Sequence, residues 1–123
     1  VSDNISGAFE WGDLEGPQVI DVVDPDDPRV DDFRDLNSVD RRPDLPSGKG
    51  LVIAEGVLVV QRMLASRFVP HAFLGTQRRL AELAHDLPGV PAPFYRASPE
   101  VMAQVVGFHL NRGVLGVARR PPS

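Results

Sequence analysis

The chain of 123 residues has no cysteine, one lysine and one tryptophan. Without cysteine it can build no disulfide, zinc–thiolate or iron–sulfur site, and the composition fits a reducing cytosol. No apolar run approaches the roughly 18–20 residues of a membrane span. The first residues, VSDNISGAFEW, lack the basic and apolar regions of a signal peptide. A soluble cytoplasmic protein with no membrane partner is therefore expected. Phosphate-cradling GxxxxGK[ST] and GxGxxG runs are missing, as is the GxSxG nucleophile elbow. His71, His85 and His109 have no HxxxH or HExxH spacing, so no metal site is expected. The acids Asp24, Asp26, Asp27, Asp31 and Asp32 lack the spacing of a calcium loop, and Asp27 is better used as a helix cap. No set of residues makes a complete active site, so no catalytic residue is assigned.

What is present is an ordinary soluble composition, 42% hydrophobic and 24% charged, at a length suited to one domain. A chain of this size can bury roughly two thirds of its unfolded surface, enough for one core. The net charge of −4 averages two unlike parts. Residues 1–40 hold twelve acidic groups against Arg29 and Arg34. Residues 41–123 hold ten arginines and Lys49 against five acids. Such asymmetry suggests an acidic leader on a domain with an anion-facing surface. The excess of arginine over lysine favours bidentate phosphate binding, although a high-GC coding bias would produce it too.

Along the chain, residues 1–18 read as a flexible acidic leader. VIDVV, from Val19, is a β-branched strand candidate. Asp27 and Pro28 open a helix whose apolar face is Val30, Phe33 and Leu36. Residues 39–50 are punctuated by Pro43, Pro46, Gly48 and Gly50 and read as an exposed loop. Strand and helix then alternate. Leu51 to Ala54 reads as a strand, Val57 to about Ser66 as a helix, and HAFLG from His71 as a strand. Thr76 caps a helix over QRRLAELAHDL, with Leu80, Leu83, Ala84 and Leu87 as its stripe and His85 placed to meet its C-terminal dipole. PFYRA from Pro93 is the next strand, Ser98-Pro99-Glu100 starts a helix to about Phe108, and VLGVA from Val114 is the last strand. The alternation predicts an α/β sandwich on a largely parallel sheet.

Within GLVIAEGVLVVQRML, Glu55 separates two apolar runs. A hairpin turning at Glu55-Gly56 is possible on pattern alone. A strand followed by a helix is preferred, because Val57, Val60, Met63 and Leu64 are helically spaced. Glu55 then ends a strand and is satisfied by N–H groups of the next helix. Gly56 and Gly113 read as backbone positions needing positive φ or close approach.

Three elements in series, FRDLNSVDRR, GLVIAEGVLVVQRML and GFHLNRGVLGVARR, resemble the N-terminal substrate-binding domain of SpoU/TrmH-type RNA 2'-O-ribose methyltransferases of the SPOUT superfamily. GFHLNRG resembles actinobacterial members. The resemblance covers residues 19–120. It implies a three-layer α/β/α sandwich like that of kink-turn-binding ribosomal proteins, around a mixed, mostly parallel sheet of four or five strands. It also implies ribosomal or transfer RNA as partner. Carried over by position, Arg34, Arg41 and Arg42 match the basic positions before the apolar strand, Glu55 the strand-end acid, and Arg112 the basic residue before the last strand. Asn37, His109 and Asn111 are polar groups suited to sugar or base edges. The family's S-adenosylmethionine site lies in a C-terminal knotted domain. With residues 121–123 as the start of a linker, that domain is expected outside this chain, which then needs no cofactor and is inactive alone. The full enzyme is expected to be a homodimer through the missing domain. A stand-alone kink-turn-type RNA-binding protein and a small α/β protein-interaction domain remain open. So does a purely structural part for the site residues: salt bridges for the arginine cluster beside Asp35, Asp40 and Asp44, and a cap on the preceding helix for Arg112.

Overall fold

A computed structural model describes residues 18–34, 51–107 and 112–119. Five strands make one sheet: β1 (Val19–Asp21), β2 (Leu51–Glu55), β3 (Val69–Gly75), β4 (Phe94–Arg96) and β5 (Val114–Arg119), in the spatial order β1-β4-β3-β5-β2. β1 pairs in parallel with β4, and β4 with β3. β5 is antiparallel to both β3 and β2. Four strands therefore point one way and only β5 opposes them, so the sheet is mixed, as expected.

Period-two alternation sends side chains to both faces. On one face Ile53, Ala72, Leu74, Leu115 and Val117 pack with Val30, Phe33, Met102, Val105 and Val106. These last come from a six-residue 3-10 helix, η1 (Pro28–Phe33), and from α3 (Pro99–Val106). On the other face Ala54, Phe73, Phe94, Val114 and Ala118 meet Val60, Met63, Leu83 and Leu87, from α1 (Val57–Leu64), α2 (Gln77–Glu82) and the turns after α2. Three layers result. Phe73 and Phe94 stack across β3 and β4 with ring centroids 6.2 Å apart. Where β5 crosses Phe73, Gly116 leaves the space: a Cβ there would lie 2.8 Å from Met63 Cε and 3.2 Å from Phe73 Cδ1.

Local chemistry explains the helix starts. Asp27 accepts from Arg29 N, Thr76 from Arg79 N and Ser98 from Val101 N, each relieving a donor that the first turn leaves unbonded. Strand followed by helix holds at Glu55-Gly56, and no hairpin forms there.

Two elements are shorter or tighter than the sequence predicts. η1 is six residues long, breaks from helical geometry at Val30 (φ −105, ψ 17), and winds with i→i+3 bonds from Val30 N to Asp27 O and Arg34 N to Asp31 O. The expected helix over residues 77–87 stops at Glu82, since Leu83 adopts φ −99, ψ 10 and tighter turns follow. Leu83 and Leu87 nevertheless reach the core, whereas His85 lies beyond the helix and is exposed. Leu36, the loop 39–50 and the leader lie outside the described residues, apart from Gln18. Gln18 accepts at its carbonyl from Phe94 N, extending β1. Among the described residues no helix is long and apolar enough to cross a membrane.

Gly75 is the tightest test of this packing. A Cβ there would lie 2.8 Å from Phe94 Cζ, 3.0 Å from Val114 Cγ2 and 3.2 Å from the Gly113 carbonyl oxygen. Gly75→Ala is expected to cost about 1–3 kcal/mol by overpacking, read as a lower urea midpoint at unchanged slope.

Candidate nucleic-acid interface

The carboxyl ends of β1, β4, β3 and β2 lie along one rim, with the amino end of β5 between the last two. Backbone hydrogen bonds just beyond the strands lock this rim: Val22 N to Arg96 O, Ala97 N to Gly75 O, Thr76 N to Gly113 O and Gly56 N to Val114 O. All three α-helices start here. In open α/β sheets ligands gather at such an edge.

Glu55 ends β2 half-buried, and Gly56 starts α1 with φ 97, ψ 158, a region essentially confined to glycine. The side chain of Arg112 lies across it, so that a Cβ on Gly56 would come within 2.9 Å of Arg112 Cδ. The next residue, Gly113, has φ 69 and lies under Arg79, whose Cγ and Nε would each be 3.0 Å from a Cβ there. Each glycine thus supports an arginine from a neighbouring element, and both expectations for these glycines hold. Gly56, Val57, Leu58, Gln61, Arg79, Glu82 and Arg112 line a shallow pocket of about 520 Å³.

The charges here differ in how far they are committed. Arg79 Nη1 donates to Glu82 at 2.6 Å, and Gln61 donates to Asp86 at 3.0 Å. Arg96 grips Asp21 with two bonds of 2.6 and 2.9 Å and reaches Gln77 at 2.7 Å. By contrast, among the described residues neither Arg112, Arg78 nor Glu55 has a side-chain hydrogen bond or ion pair. The expectation that N–H groups of the next helix satisfy Glu55 is therefore corrected. No side chain caps α1, and its first-turn donors stay open toward the rim. The reason is local: Gly56, at the N-cap, has no side chain to reach those donors. Nor does Arg112 cap α3, which ends on Gly107 in the left-handed conformation with its N–H on Ala103 O.

Of the eight predicted site residues, Glu55 and Arg112 meet at this rim. Arg34 does not join them. Its Nε donates to Asp31 at 2.9 Å, and Nη1 and Nη2 to the carbonyls of Pro25 and Asp27, so it ties η1 to its own entry turn. Asn37, Arg41, Arg42, His109 and Asn111 lie outside the described residues. His71, at the start of β3, bonds Asp32 of η1 at 3.0 Å. Sequence reasoning missed Leu58, Arg78 and Arg79. The arginines were within reach of it, since Thr76 as cap places residues 77–79 in a first turn on the rim.

No family model matches the chain. A curated Mycobacterium bovis protein described as an uncharacterized tRNA/rRNA methyltransferase is 76% identical over 108 residues, which make up 88% of this chain. Two Mycobacterium tuberculosis proteins with the same description are 76% and 75% identical over the same length. The chain is a homologue of one portion of these methyltransferases. It spans 38% of their length. Among solved structures, an rRNA methyltransferase from Sinorhizobium meliloti superposes with a TM-score of 0.63 at 17% identity, over 86% of this chain and 39% of that one. The AdoMet-bound rRNA methyltransferase from the same organism gives 0.57 at 15%, over 86% and 38%. At these identities the two structures establish a shared fold alone, a mixed α/β sheet.

Two predictions follow from the geometry. Gly56→Ala forces a Cβ into both a glycine-only conformation and the Arg112 side chain, and should cost about 1–3 kcal/mol, measured by urea unfolding. The second concerns acid. Hydrogen bonds from Arg96 hold the Asp21 carboxyl below its ordinary value of 3.8, and those from Arg29 do the same for Asp27. A depressed carboxylate contributes stability that is complete above its unfolded value and is lost as pH falls through the folded one. Asp21→Asn should accordingly flatten the stability profile below about pH 4, followed by thermal melts from pH 7 to 2.

Proposed function

We propose that the chain is the RNA-binding, substrate-recognition domain, residues 19–120, of a SpoU-type ribose 2'-O-methyltransferase acting on ribosomal or transfer RNA. The observation that carries this reading is Arg112, an exposed arginine without a partner among the described residues, laid over Gly56 beside the open first turn of α1. It sits in a chain 76% identical to proteins described as tRNA/rRNA methyltransferases. A guanidinium and free helix N–H groups are complementary to phosphate, while the Glu55 carboxylate repels phosphate but accepts from a ribose hydroxyl. Arg78 adds a second uncommitted cation farther along the rim.

Arg41, Arg42, Asn37, His109 and Asn111 keep their proposed part in RNA contact through the resemblance. Arg34 keeps it only at the edge, since its donors already serve η1. Methyl transfer from S-adenosylmethionine belongs in this reading to the portion of the relatives that the chain does not span, through which the full cytoplasmic enzyme would also dimerise. The described residues are assigned no part in holding that cofactor.

The test is affinity for a structured ribosomal RNA fragment across a salt series, by fluorescence anisotropy. Binding should weaken steeply with salt. Arg112→Ala should lower the logarithmic salt slope by about 0.7–0.9, and Arg41→Ala with Arg42→Ala by about twice that. Undetectable binding at low salt, or slopes unchanged in these variants, would refute the assignment.

A further inference from the structure

β1 is an edge strand with half of its backbone unused. Among the described residues it has one neighbouring strand, β4. Phe94 N bonds Gln18 O and Val22 N bonds Arg96 O. The alternation of a parallel ladder then turns the N–H and C=O groups of Val19 and Asp21 the other way. Open edges of this kind are normally covered or blunted. On the α2 side of the sheet, two adjoining cavities run along this edge. Val19, Leu80, Ala81, Ala84 and Leu87 give one of them, of about 410 Å³, its aliphatic walls. The other, of about 440 Å³, is reached by Asp21 and by Val23, which is 85% exposed. Gln77 and Arg96 border both cavities and are joined by a 2.7 Å hydrogen bond.

We propose that Phe9-Glu10-Trp11 of this same chain folds back and adds to β1 as an antiparallel strand. Tethering favours this occupant over any free one. The leader joins the sheet at Gln18, at the mouth of the groove, so a reversal over Asp13–Pro17 brings it alongside at high local concentration. A loop of that length is ordinary for a hairpin, and Asp13, Gly16 and Pro17 are turn formers. Trp11 then falls opposite Val19, and Phe9 opposite Asp21. Directly opposed residues share a face of the sheet. Val19 is in register with Phe94 and Asp21 with Arg96, and Phe94 packs on the side of Leu83 and Leu87. Both aromatic rings therefore enter the groove while Glu10 turns away. Trp11 takes the aliphatic cavity, Phe9 the one beside Val23, and Arg96 lies between them with its guanidinium fixed by Asp21 and Gln77, within reach of a ring face. Phe9 and Trp11 are the only aromatic residues in positions 1–17. Main-chain bonds to an open edge, with alternate side chains in pockets, form a general mode of peptide binding.

Trp11 is the one tryptophan of the 123-residue chain, so its fluorescence reports this contact directly. In the native chain its emission should be blue-shifted, and acrylamide should quench it far less than in the urea-unfolded chain. Ala81→Glu places a charge in the groove from an exposed helix position. It should return both signals to their unfolded values while the circular dichroism melt stays in place. Should that variant melt early, a second one decides. Phe9→Ser with Trp11→Ser alters no described residue, and amide exchange at Val19 and Asp21 should become about tenfold or more faster. Solvent-exposed Trp11 emission in the native chain, protection that survives Ala81→Glu, or amides indifferent to the leader substitutions overturns the added strand. Protection that rises with protein concentration also overturns it, and assigns the groove to the leader of a second copy.

Discussion

Four backbone hydrogen bonds at the carboxyl edge of the sheet hold everything else in place. Each joins the residue just past one strand to its neighbour, and together they run from β1 through β4, β3 and β5 to β2. Because main-chain donors and acceptors must be paired wherever water is excluded, this seam fixes where α1, α2 and α3 can begin. It also fixes where Arg112, Arg79 and Arg96 can project. The side chains that give the edge its chemistry are thus mounted on backbone geometry, and the buried faces of Phe73, Phe94 and Val114 below keep that backbone from shifting.

The arginines illustrate how an equal formal charge acquires unequal roles. Arg96 is clasped by Asp21 and Gln77, Arg79 by Glu82, and Arg34 by Asp31 and two carbonyls. These are exposed or half-exposed pairs, each contributing little stability in water, and their effect is chiefly to fix geometry. Arg112 and Arg78 make no such bond among the described residues, so a polyanion can take them without first breaking an internal contact. Glycine makes the arrangement possible: with no Cβ at 56 or 113, an aliphatic stem lies directly on the backbone.

Most of the layout was legible in the sequence because it follows from local rules. Asp27, Thr76 and Ser98 sit where a side-chain oxygen reaches an unpaired N–H, and the alternation of Ile53, Ala54, Phe73, Leu74, Val114 and Leu115 assigns two buried faces. The family resemblance added the three-layer arrangement around a mixed sheet, and the positive φ of Gly56 and Gly113 matched the reading of those residues. What pattern did not convey was the outcome of competition. The repeat through Leu87 persists although the helix ends at Glu82, because successive tight turns keep roughly the same face toward the core. Arg34 is expected to face RNA, yet Asp31 and the carbonyls of Pro25 and Asp27, a pairing invisible to composition, hold it. Leu58 looked like one more member of an apolar run, and only the orientation of α1 leaves it outside. The lack of a cap from Glu55 is of the same kind, since capping depends on backbone dihedral angles as well as on residue type.

β5 alone runs against the other strands, so the segment entering it crosses the rim while the segment leaving it departs from the far end. Six residues of strand span about 20 Å. Arg119 therefore ends β5 at the edge of the sheet opposite the rim that carries Arg112. In the proposed reading, RNA held at the rim would lie about one strand length from that far edge, and β5 would set the distance between the two ends of the sheet.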